Sequence, residues 1–178
     1  MSFARAPSIL PDDFAAALGH AVAGFGFLEE ALKRTLYSIS ARQLGENAAE
    51  HVVQAWLVRM QAVADDSMGT LIDQFRIAIR DINLANGSDL IAALNHIKQQ
   101  RNLLCHASWY PADGHAWTPC FINTKGEAFA KDLTLDDLIT IRTETLKIAA
   151  EIVGIMRRTG IEGELLGQSE KRPITDDP

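Results

Sequence analysis

The sequence predicts an all-α fold, a bundle of four or five helices carrying one short β insertion. Three observations predict it. Apolar residues recur at spacings of three and four through most of the chain. Helix-start and helix-stop residues punctuate that pattern. Only one stretch, residues 109–130, replaces it with aromatic residues around turn signals.

The chain has 178 residues, 47% of them hydrophobic and 22% charged, which suits one domain with a real core and argues against wholesale disorder. No apolar run approaches the ~20 residues needed to span a bilayer. Residues Met1–Pro7 lack the long apolar core of a secretory signal. Two cysteines, Cys105 and Cys120, form no disulfide framework and favour a reducing cytoplasm. The reading is a cytoplasmic protein with an N-terminal arm (1–11), a helical domain (12–160) and a polar, mobile tail (161–178). The net charge of −6 counts against a high-affinity duplex-binding scaffold, because such affinity comes from neutralising phosphates. A nuclease acting on selected RNA needs only a small basic cleft.

Pro11-Asp12-Asp13 places acidic residues at the positive end of a helix dipole. From Phe14 through Leu18, Ala21, Phe25, Leu28, Leu32, Leu36 and Ile39 one apolar stripe defines a long helix over 14–40. Gly24 and Gly26 lie inside it and each costs about 1 kcal/mol against alanine, so close helix packing is expected there. No strand precedes these glycines and no Lys-Ser/Thr pair follows, which rules out a phosphate loop. Asn47-Ala48-Ala49-Glu50 has the spacing of a capping box opening a second helix to about Ala64. Asp65-Asp66-Ser67 either kinks that helix or starts a new one carrying Met68, Leu71, Ile72, Phe75, Ile79 and Ile82. Asn86-Gly87 ends this section by turn chemistry, with Ser88 as the cap of a helix over 89–108. Trp109, Tyr110 and Trp117 flank an Asp113-Gly114 turn signal, and Cys120-Phe121-Ile122 enters a second turn at Asn123-Thr124-Lys125-Gly126, together a β-hairpin or hairpin-like loop. Thr134-Leu135-Asp136-Asp137 caps a last long helix, which Gly160 ends.

The functional signal is Arg101-Asn102-Leu103-Leu104-Cys105-His106. At about 100° per residue, Leu90, Leu94, Ile97, Leu104 and Cys105 fall within about 60° of Arg101. The arginine therefore projects from the centre of an apolar stripe and needs a carboxylate, a wet cleft or a ligand anion. Asn102 and His106, one turn apart, line the adjoining polar edge. A guanidinium to bind phosphate, an amide to orient a hydroxyl and an imidazole to move a proton are the parts of a metal-free RNA-cleaving site.

Arg101-Asn102-x-x-x-His106 resembles the Arg-[Asn/Asp/His]-x(3–4)-His signature of the HEPN superfamily, compact helical domains that are often dimeric. The resemblance extends to the layout over residues 12–160: a long first helix, the signature late on a later helix, and a long final helix. The aromatic hairpin then looks like an insertion particular to this lineage. The resemblance implies a metal-independent endoribonuclease without cofactor, possible in toxin–antitoxin or antiviral systems, with Arg101 and His106 as the catalytic pair and Asn102 positioning them. It also implies a homodimer, an RNA substrate, and a cognate antitoxin or nucleotidyltransferase as partner. Some catalytic members carry an aromatic residue two positions after the histidine. Here Ser108 stands there, with Tyr110 two later. The alternative is a catalytically idle module of the same fold for dimerisation, nucleotide binding or partner recruitment.

Plainer readings compete at each residue. Arg101 can be a structural arginine paired with Glu29 or Glu30 of the first helix. His106 can simply favour the negative end of a helix dipole. Zinc is disfavoured, since Cys105 and His106 point about 100° apart and no Cys-x-x-Cys pair exists. Lys33-Arg34, Arg76 with Arg80, and Arg157-Arg158 read as solvated faces. Trp109, Tyr110 and Trp117 either stack an unpaired base or pack the hairpin onto the bundle.

Overall fold

The computed structural model describes residues 9–45, 47–121, 126 and 131–158. Helix α1 (Asp12–Leu44) is followed by α2 (Glu50–Ala64), α3 (Met68–Asp81), α4 (Gly87–His106), strands β1 (Ser108–Pro111) and β2 (Trp117–Cys120), and α5 (Leu135–Arg158). The fold is mostly helical with a two-stranded antiparallel sheet, as expected. The first-helix stripe runs further than its periodicity suggested, from Asp12 to Leu44. The expected second turn at Asn123–Lys125, the stop at Gly160 and the tail lie outside the described residues. Among the described residues, no helix is long and apolar enough to cross a membrane.

Specific contacts set the helix directions. Trp56 Nε1 donates to Ser40 Oγ and Lys33 Nζ to the Ala64 carbonyl, so α2 runs antiparallel to α1. Lys98 lies beside Gly69 and Ile79 beside Gly87, so α3 and α4 are antiparallel. Glu29 meets Arg101, and Phe14 packs edge-on against Trp109 just beyond α4, so α4 is antiparallel to α1. Thr35 Oγ1 reaches the Ile152 carbonyl (3.4 Å), and Gly24 faces the Thr145 methyl, so α5 runs parallel to α1. Phe25, Leu28, Leu32, Phe75, Leu94, Ile97, Leu138 and Ile152 form the fully buried centre. Such large apolar side chains each contribute about 1.5–3 kcal/mol through burial.

Several local expectations are corrected. The Asn47–Glu50 capping box does not form, because Ala49 holds the cap position of α2 without a side-chain hydrogen bond. Ser88 is not the cap of α4. Asn86 is, in the left-handed region at φ 60°, and the helix begins at Gly87. Gly87 packs closely, since a Cβ there would meet Ile79 Cδ1 at 3.1 Å and that methyl would have to yield. Gly24 sits in the α1–α5 contact as anticipated, but a Cβ at Gly26 would meet nothing, so packing among the described residues does not explain it. Between α2 and α3 the chain makes a true break rather than a kink, with Ser67 Oγ accepting from the Thr70 amide. At α5, Thr134 and Asp137 close a reciprocal cap: the Asp137 amide donates to Thr134 Oγ1 and the Thr134 amide to Asp137 Oδ2.

Candidate functional site

The site forms because α4 outlasts its neighbour. The first turn of α3 meets α4 at the level of Lys98, so the final turns of α4 extend past the start of α3 and are uncovered on that side. Leu103 and Leu104 remain buried there, whereas Arg101 and Asn102 are half-buried and Cys105 and His106 exposed. The apolar stripe thus reaches the surface at its C-terminal end, where a half-buried cation escapes full desolvation.

Arg101 Nε lies 3.5 Å from Glu29 Oε1, with side chains 32% and 24% exposed respectively. Of the two carboxylates anticipated as structural partners, Glu29 is the one used. Glu30 instead pairs along α1 with Arg34 at 2.6 Å. Arg101 Nη1 donates to Asn102 Oδ1 at 3.5 Å, a long contact that orients more than it binds. Asn102 therefore serves Arg101 and makes no hydrogen bond to His106 among those described. Among the described residues the guanidinium meets Glu29 at Nε and Asn102 at Nη1 and has no further hydrogen-bond or ion-pair partner. A guanidinium fork suits two phosphate oxygens.

His106 is the last residue of α4. Its ring stacks on Phe121, with centroids 6.3 Å apart and planes at 25°. Phe121 was missing from the sequence-derived site. The signal lay in the hairpin register: Ser108 pairs with Cys120, which brings the residue after β2 back to the end of α4. Trp109, half-buried, and Trp117, buried, both pack on Phe14.

Cys105 sits near the same charges. Partial burial pushes its thiol pKa up, Arg101 pulls it down, and Glu29 adds to the rise. Among the described residues no cluster of His, Cys, Asp or Glu could hold a metal ion. A separate open groove of about 690 Å³ lies at the far end of α4, lined by Arg76, Arg80, Ile77, Leu84 and Ile91. Its arginines are already engaged, Arg76 with Asp73 and Arg80 with Asp81.

Comparison with family models, with curated proteins and with solved structures finds no match to this chain.

Proposed function

We propose that this chain is a HEPN-type, metal-independent endoribonuclease. One observation carries the reading: a half-buried arginine, paired with Glu29 and Asn102 and with no other described residue, lies five residues before an exposed imidazole on the same helix. The Arg101 fork would take the phosphodiester oxygens and hold the charge that grows as the ribose 2′-oxygen attacks phosphorus. That attack forms the 2′-O–P bond of a 2′,3′-cyclic phosphate and releases the 5′-oxygen. One His106 accepts the 2′-hydroxyl proton, and a second must donate one to the leaving oxygen. A two-fold homodimer that faces the two sites toward each other supplies that second imidazole. Net charge −6 suits a selected RNA segment rather than tight duplex binding.

The second reading is an idle module of the same type, a dimerisation or recruitment domain. It is favoured by the Glu29 pairing, which neutralises Arg101 without any ligand, and by Ser108 at the aromatic position. A role as toxin or defence effector with a protein partner belongs to the first reading. The test is cleavage of single-stranded RNA in EDTA by wild type and by His106→Ala. Cleavage by wild type alone, leaving cyclic phosphate ends, supports the enzyme. Equal traces of cleavage in both leave the idle module.

A further inference from the structure

We propose that Phe121 is a positioning residue for His106, fixing the plane of its imidazole. This rests on the ribonuclease reading above. His106 is exposed and makes no hydrogen bond or ion pair among those described. The neighbour one turn back, Asn102, is turned toward Arg101. Nothing on its own helix therefore restrains the ring, and an unrestrained histidine at a helix end samples several rotamers. The Phe121 ring, 6.3 Å away and tilted by 25°, is what meets it. Centroid separations of about 4.5–7 Å are those at which aromatic pairs attract.

The hairpin makes Phe121 a firm backstop. Ser108 pairs with Cys120, so the strand preceding Phe121 is tied to the strand that leaves α4. Trp117 and Leu133 exchange two backbone hydrogen bonds of 2.8 Å. The Trp117 side chain is buried against Phe14. Phe121 is itself half-buried and packed against the core.

The pair is offset, with planes within 25° of each other, so Phe121 limits the tilt of the imidazole plane without capping its nitrogens. Protons enter and leave a ring nitrogen along the edge, in the ring plane. Fixing that plane fixes the direction of proton transfer, and Phe121 so acts through His106 without touching substrate.

The experiment uses the full chain with Phe121→Leu, which keeps apolar bulk, and Phe121→Tyr, which keeps the ring. His106 ring protons are assigned in NMR spectra by their loss in His106→Gln, and cleavage of an RNA oligonucleotide is followed in EDTA. Phe121→Leu is expected to move the His106 resonances by removing the ring current and to lower kcat about 10-fold with KM unchanged. Phe121→Tyr is expected to restore both. His106 resonances unmoved by Phe121→Leu mean that no stack forms, which overturns the proposal. Resonances that move while kcat holds leave a stack that positions nothing, which overturns it too. Resonances that move as described in Phe121→Leu while the wild type cleaves no RNA remove the ribonuclease reading, and the positioning role with it.

Discussion

Glu29 and Arg101 join the first helix to the fourth near the C-terminal end of α4, Oε1 to Nε at 3.5 Å. This pairing bears on both readings of the protein. It stabilises a guanidinium in a partly apolar setting, and among the described residues the guanidinium's only other hydrogen-bond partner is Asn102.

The first prediction concerns rate. Arg101→Ala should lower RNA cleavage by ~10²–10³, the usual loss when a charge-stabilising donor is removed. His106→Ala should lower it by ~10²–10⁴ through loss of proton transfer. Asn102→Ala should lose less, because Asn102 only orients Arg101. Single-turnover cleavage by the three variants, with circular dichroism to confirm folding, checks the order.

A second prediction separates structural from functional roles for the arginine. Fully buried ion pairs cost about 3–5 kcal/mol when one partner is removed, while exposed pairs are worth about 0–1 kcal/mol. With 32% and 24% exposure the pair lies between, so Arg101→Ala should destabilise by about 1–2 kcal/mol. Denaturant unfolding of Arg101→Ala, Glu29→Ala and the double variant should show costs that do not add. A loss as large as that of a fully buried pair marks an arginine whose work is structural.

Third, the Cys105 thiol reports on the same charges. Burial holds its pKa up, Arg101 lowers it and Glu29 raises it. Arg101→Ala removes the lowering influence, so the pH midpoint for Cys105 alkylation should move upward. Glu29→Gln removes a raising one, so the midpoint should move downward. Iodoacetamide rates against pH in a Cys120→Ser background measure both, and opposite or absent shifts would mean that the three groups are not neighbours.

The fourth prediction is a pH dependence of stability at the start of α5. Hydrogen bonds from the Thr134 amide and hydroxyl, with Lys131 nearby, hold the Asp137 pKa below its ordinary value. A depressed carboxylate stabilises the fold above its unfolded pKa, near 3.9, and that contribution fades as pH falls through the lower folded value. Asp137→Ala should therefore be less stable than wild type by about 1 kcal/mol at neutral pH, the usual worth of a cap. The gap should close under strongly acidic conditions, as thermal melts across pH would show.

Elements whose determinants lie within a turn or two were legible in the sequence. Stripes of apolar residues marked α1, α3, α4 and α5; Asp113-Gly114 marked the hairpin turn; and Thr134 with Asp137 marked the start of α5. Arg101 at the centre of its stripe was equally plain, because helical phase is a local property. Caps were less secure. Asn47 and Ser88 had the right chemistry at the right spacing, yet the backbone entered α2 at Ala49 and α4 at Asn86. A cap worth about 1 kcal/mol is too small to fix a helix start against the rest of the fold.

What only the tertiary structure decided is how distant elements are turned toward each other. Glu29 and Glu30 are adjacent in sequence and point about 100° apart, so the rotation of α1 against α4 selects one for Arg101 and leaves the other to Arg34. That rotation is set by the whole core, from Phe25 to Ile152. Likewise the late start of α3 uncovers the last turns of α4, and the hairpin register delivers Phe121 to His106. Periodicity places a side chain on its own helix. The fit of many buried side chains, summed over the core, decides which side chain of another element it meets.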